Sequence, residues 1–280
     1  PLIKRNYLYR YIGTFDRIRQ AYIRERMKTP AGQRECEWKY KNEILFVPYH
    51  SDPAIVKSVE TVRCRSNRVW NFKAAASEKL KHQIFTVLEY ILEHYEVSRL
   101  REYKLTGLQL FYEFCIREQI SDIQLLELKQ ETEFQNYLDQ RIEKEQRRKR
   151  LRTIVETARK VIFMQTDEIR GDAAVWYLER FHIAKDRINQ SDSIEKISFQ
   201  EVLQPQNRLL LQEYMKYEIG IGELALSTVY ERFRTIRNFL QEISEQQIEV
   251  TKCDVSRIDA YLKNLQNDTM GAKTFNTNVS

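Results

Sequence analysis

The sequence predicts a mainly α-helical chain, with two four-helix units in tandem behind a small mixed N-terminal domain. Three observations predict it. Glycine and proline number only 7 and 5 in 280 residues, too few for the many tight turns of an all-β protein. Apolar residues recur three and four apart over 77–165 and again over 203–280, the pattern of helices that bury one stripe. The two segments also share an order. Leu108, Phe111, Phe114 and Cys115 recur as Phe233, Ile236, Phe239 and Leu240, and Phe134, Tyr137 and Leu138 recur as Ile258, Tyr261 and Leu262. A near-constant offset across two helices points to an internal duplication.

The elements follow in order. Residues 1–72 form the mixed domain. A basic helix over 7–27 is broken at Thr29-Pro30-Ala31-Gly32, and Ile44-Leu45-Phe46-Val47 before Pro48 reads as a short strand whose partner is expected at 59–64. Residues 73–165 form the first helical unit. Ser77 caps a helix carrying Leu80, Ile84, Val87, Leu88, Ile91, Leu92 and Tyr95. A second helix carries Leu105 to Cys115, and a short third carries Phe134 to Leu138. The fourth carries Leu151, Ile154, Val155, Ala158, Val161 and Ile162.

Residues 166–202 are expected to be a connector with extended pieces at Trp176-Tyr177-Leu178 and 194–199, and a loop at 189–193. Residues 203–280 form the second unit. Its first helix, over 207–218, buries Leu210, Leu211, Tyr214 and Met215 and closes at Gly220-Ile221-Gly222. Ser227 or Thr228 caps the next, which buries Val229, Tyr230, Phe233, Ile236, Phe239, Leu240 and Ile243. Asp254 caps a third with Val255, Ile258, Tyr261, Leu262 and Leu265, and a fourth begins near Gly271.

Charge is localised. The net charge of +6 is concentrated in two stretches, 1–28 and 141–160, each +6 by itself, whereas 73–140 and 161–280 are each −4. Concentrated Lys and Arg in a basic chain point to phosphate neutralisation, and so to nucleic acid.

Other classes are disfavoured. No apolar run approaches the roughly 20 residues of a membrane span, and residues 1–10 lack the apolar stretch of a secretory signal. Cys36, Cys64, Cys115 and Cys253 are dispersed, which fits reduced thiols in a cytoplasmic protein, with Cys115 in the core. His50, His82, His94 and His182 show no metal-ligand spacing, and no glycine-rich phosphate loop is present. Neither a cofactor nor a metal is expected. Tyr214, Tyr230 and Tyr261 sit on apolar helix faces, which favours packing over nucleophilic chemistry.

The stretch Leu226-Ser-Thr-Val-Tyr-Glu-Arg-Phe-Arg-Thr-Ile-Arg-Asn-Phe-Leu240, then 251–262 ending in Ala260-Tyr261-Leu262, then Ala272-Lys-Thr-Phe-Asn-Thr-Asn-Val-Ser280 resembles the core-binding domain of tyrosine recombinases, the phage-integrase family. The shared pattern is a Ser/Thr-capped helix ending in Phe-Leu, an acid-capped helix ending in Tyr-Leu, and a helix opened by Lys-Thr-hydrophobic-Asn. About 75 residues carry it, and 77–165 resemble it more weakly. Arg187-Ile-Asn-Gln-Ser, Ile197-Ser-Phe199 and Asn207-Arg208 look like the lead-in of transposon-encoded members.

The resemblance implies four-helix, core-binding-like units that form half of a clamp on duplex DNA. The implied catalytic half would hold a nucleophilic tyrosine among cationic donors. The 280 residues stop where it would begin, so no catalytic residue is assigned. The expected function is the DNA-binding part of a site-specific recombinase or transposase of a mobile element. Duplex DNA is the expected partner, with self-association on it. A DNA-binding regulator outside the recombinases and a helical protein-interaction scaffold are the alternatives.

The candidate DNA-binding residues fall in three groups. Arg147, Arg148, Lys149, Arg150 and Arg152 form a dense run of cations suited to backbone contact. Arg232, Arg234 and Arg237 flank an apolar stripe, so at most some of them face one ligand. Lys273, Thr274 and Asn276 open the last helix, where amides and hydroxyls reach phosphates or base edges.

Overall fold

A computed structural model describes residues 44–60 and 69–267, apart from 48, 49, 97 and 190–193, together with positions 14, 17–18, 21–22, 25–26 and 28–32. Mainly α-helical architecture is what it shows, with two small two-stranded sheets. The chain divides into two compact units, one of residues 1–121 and 134–158, the other of 122–133 and 159–280.

In the first unit, β1 (Ile44–Phe46) pairs antiparallel with β2 (Val69–Asn71), Leu45 lying opposite Trp70. The partner among the described residues, β2, lies beyond the expected 59–64. Val59 and Glu60 close a helix, α1 (Pro53–Glu60), and 61–64 lie outside the described residues. Burial explains the choice, since Trp70 and Phe72 are almost fully covered and bury large apolar rings. Upstream, the described positions between 14 and 26 are helical, Lys28 and Thr29 turn, and 30–32 are helical again. Thr29 Oγ1 accepts from Gly32 N at 3.1 Å, so the predicted break restarts a helix, with Pro30 at its first position.

Four long helices follow. Ser77 caps α2 (Glu78–His94) through Oγ, which accepts from Leu80 N at 3.1 Å. α3 runs Arg99–Arg117, α4 Leu128–Arg141 and α5 Glu145–Gln165. Their predicted apolar stripes are buried, apart from half-buried Tyr95. Phe134 meets Phe111 and Phe114 with ring centroids 5.1 and 5.3 Å apart, so α4 is keyed onto α3 by aromatic edges. α3 and α5 meet at Gly107, where a Cβ would come within 3.1 Å of Leu151 O and 3.2 Å of Ile154 Cβ. A side chain there would require α5 to give by a few tenths of an ångström, which glycine avoids. Cys115 is core as expected, and burial pushes its thiol pKa up.

The second unit takes its core from the segment expected to be a connector. β3 (Val175–Tyr177) pairs antiparallel with β4 (Lys196–Ser198). Trp176, Ile197, Phe199 and Val202 are buried together with Leu211 and Met215 of α6 (Pro205–Gly220) and Phe233 of α7 (Leu226–Glu245). The helix ends differ from expectation in detail. Ala225, not Ser227 or Thr228, is the N-cap of α7, and it makes no side-chain cap bond. α6 runs through Gly220, and the predicted closing residues turn without a left-handed glycine. Gly222 is needed for proximity instead, because its Cβ would fall 2.6 Å from Glu218 O.

Buried polar groups bind the segments of this unit. Asn207, fully buried, donates to Ile248 O at 2.8 Å and accepts from Val250 N at 2.7 Å. Arg187 donates to Glu218 O, Ile219 O and Leu224 O at 2.8 to 2.9 Å, a cation satisfying the carbonyl end of α6. Arg159 pairs with Glu131 and donates to Leu126 O. Gln200 Nε2 adds bonds to that same carbonyl and to Glu131. Three stretches distant in sequence are therefore joined by bonds whose loss would strand buried charge.

α8 (Val255–Asn267) is capped by Asp254, whose Oδ1 accepts from Arg257 N at 3.0 Å, as predicted. Its apolar face departs from expectation. Val255 and Ile258 are exposed, Tyr261 and Leu262 half-buried, and Leu210 on α6 is exposed too. The duplicated positions therefore differ in burial: Phe134, Tyr137 and Leu138 are core, whereas Ile258 is not.

Candidate nucleic-acid interface

The cation run at the start of α5 does not act as one group. Arg148 lies 2.9 Å from Asp139 and donates to Ile142 O and Glu143 O, so it staples the turn between α4 and α5. Arg152 reaches Asp139 Oδ1 at 3.1 Å. Lys149 pairs with Glu145 at 2.7 Å, one helical turn away, and that bond holds the Glu145 carboxyl below its usual range. Three of the five cations are thus compensated internally.

Arg147 and Arg150 behave otherwise. They line a cleft of about 600 Å³ with Lys144, just ahead of α5, and Arg99, Glu102, Tyr103 and Thr106 from α3. The α3 residues share one face because they sit three and four apart. Among the described residues, none of Arg99, Lys144, Arg147 and Arg150 forms an ion pair. Arg150 is positioned rather than paired, its guanidinium 5.1 Å over the Tyr103 ring.

Both helices begin at this cleft, at Arg99 and Glu145. First-turn amides lack intrahelical acceptors and the macrodipole is positive there. Cations in the first turn therefore raise the local potential at a cost in stability, which an anion in the cleft would offset. Planar guanidinium groups placed in this way can donate to several oxygens of an anion such as phosphate.

Beneath the cleft, Lys104 ties the two walls together. Its Nζ donates to Thr153 Oγ1 at 2.9 Å and Thr157 Oγ1 at 2.6 Å, while Thr153 Oγ1 donates to Arg150 O at 2.8 Å. Burial lowers the Lys104 pKa from its usual value of 10.5. The folded state then releases this proton before the unfolded chain does, so stability rises with pH between the lowered value and 10.5. Lys104→Met is expected to be at least as stable as the parent at pH 7 and to lose that alkaline rise. Urea melts at pH 7, 9 and 10 check this. A loss above about 2 kcal/mol at pH 7 would show that the amine's hydrogen bonds outweigh its desolvation.

The other predicted residues do not join this site. Arg232 lies 3.7 Å from Glu218, and Arg237, mostly covered, pairs with Glu201 at 2.7 Å and lies over the Phe233 ring. Arg234 is exposed. Arg232 and Arg237 therefore have different partners. Lys273, Thr274 and Asn276 lie outside the described residues. Sequence reasoning missed Arg99, Tyr103 and Lys144 as site residues. Lys144 falls inside the basic stretch and was within reach, but Arg99 gave no signal in the linear order.

Among the described residues no three of His, Cys, Asp and Glu are placed to hold a metal. His50 faces Glu89 at 3.6 Å and accepts from Asp52 N, and His94 stacks on Tyr90. Tyr230 and Tyr261 pack on Phe233 and Phe239. Among the described residues no helix is long and apolar enough to cross a membrane. Compared with known proteins, the chain matches no family model, no curated protein and no solved structure.

Proposed function

We propose that this chain binds duplex DNA as the non-catalytic part of a site-specific tyrosine recombinase or transposase. It would hold DNA for strand cleavage and rejoining by a catalytic domain not contained in these 280 residues. The observation that carries the DNA reading is the convergence of Arg99, Lys144, Arg147 and Arg150 on one cleft without internal counter-ions. The recombinase class rests on the residue pattern over 226–240, 251–262 and 272–280, which resembles a core-binding domain. In this reading 73–165 and 203–280 are two core-binding-like units in tandem, and copies of the chain associate on DNA.

Binding across a salt series tests it. If all four cleft cations contact phosphates, the logarithm of affinity should fall with the logarithm of salt at a slope of about −3.6 from this cleft alone. Further cations elsewhere would steepen it. Affinity that is flat with salt, or absent at low salt, would remove the DNA reading.

A further inference from the structure

We infer that the same cleft binds a compact polyphosphate group, of the kind carried by a nucleoside triphosphate or by inorganic polyphosphate. This goes beyond DNA binding, because such a ligand would occupy the cleft with or without a duplex.

Shape is the first argument. The four exposed cations line one cleft of about 600 Å³, Arg99 from one wall and Lys144, Arg147 and Arg150 from the other. That volume lies within the roughly 300–1,000 Å³ of small-molecule clefts. Cations brought to one cleft from two helices suit the several oxygens of one small anion.

Charge is the second. Neighbouring Arg148, Lys149 and Arg152 are all paired with carboxylates, so acids are available in this part of the chain. The cleft nevertheless keeps four cations free of ion pairs among the described residues. Of its two acids, Glu145 is already held by Lys149 at 2.7 Å. The surplus sits where two helices of 19 and 21 residues begin, so their dipoles add to the repulsion instead of relieving it. A ligand of several negative charges offsets all of this at once. The stacking of Arg150 on Tyr103 fixes one guanidinium in advance and lowers the entropy lost on binding.

Isothermal titration of the 280-residue chain with inorganic tripolyphosphate, and separately with ATP, tests the inference. Saturable binding at one site per chain is expected. Arg147→Ala with Arg150→Ala should weaken it at least tenfold, and so should Arg99→Ala with Lys144→Ala, which removes one cation from each wall. Arg232→Ala with Arg234→Ala should leave it unchanged. ATP binding tighter than tripolyphosphate would assign a nucleotide, and equal binding would assign the phosphate chain alone. No saturable binding, or equal weakening in the control pair, overturns the inference. Far-ultraviolet circular dichroism of every variant separates misfolding from lost contacts. Duplex binding measured on the same samples keeps the two readings apart. Duplex affinity that depends on the cleft while tripolyphosphate does not bind would sink this inference alone, and the converse would sink the DNA reading alone.

Discussion

Alanine at Arg147 and Arg150 is expected to flatten the salt slope of duplex binding by about two units, one per lost phosphate contact. Between 50 and 200 mM salt, the double variant should then lose about tenfold less affinity than the parent does. The pair should weaken all sequences alike, because backbone contacts carry no base information. Alanine at Arg148 and Arg152 is expected to behave differently. Their guanidinium groups are engaged by Asp139 and, for Arg148, by the carbonyls of Ile142 and Glu143. Removing them should lower the melting temperature while the salt slope stays near that of the parent. Affinity titrations at four salt concentrations, beside a thermal melt of each variant, check both halves. If the Arg148 and Arg152 variant lost slope and the Arg147 and Arg150 variant kept it, the cleft would not be the phosphate site.

Trp176→Ala should cost about 3–5 kcal/mol of folding stability, the range for deleting a large buried aromatic side chain. Trp176 is 1% exposed, and its ring meets Phe199 and Phe181 at 4.7 and 5.3 Å between centroids. Packing of Phe199 against Phe233 at 5.4 Å carries the same cluster into α7. The substitution therefore probes whether 166–202 is core or linker. A denaturant titration of the variant measures it. A loss below about 1 kcal/mol is what an exposed linker residue would give, and it would separate Trp176 from the core described above.

The helices were legible because a buried stripe must repeat three and four residues apart, and Leu80 to Leu92 or Leu151 to Ile162 do so without interruption. Capping by Ser77 and Asp254 was legible for a local reason as well, since the side chain bonds an amide three residues ahead. Ala225 shows the limit. Packing of α7 set the helix start one residue before Ser227, although Ser227 and Thr228 are the better caps by type.

What the sequence by itself determined was the helical class, the registers of the apolar stripes and the place of the dense cation run. Each depends on neighbours within about one turn of helix. Tertiary structure alone decided which strand met β1, and whether 166–202 packed as core. It also decided which of the five cations are ion-paired with a carboxylate. Asp139 claims Arg148 and Arg152, whereas Arg147 and Arg150 gain Arg99 as a companion from α3. That partition follows from α3 and α5 approaching closely at Gly107 and being tied by Lys104 to Thr153 and Thr157. Counter-ions are assigned by distance in space, and the order of residues along the chain does not record it.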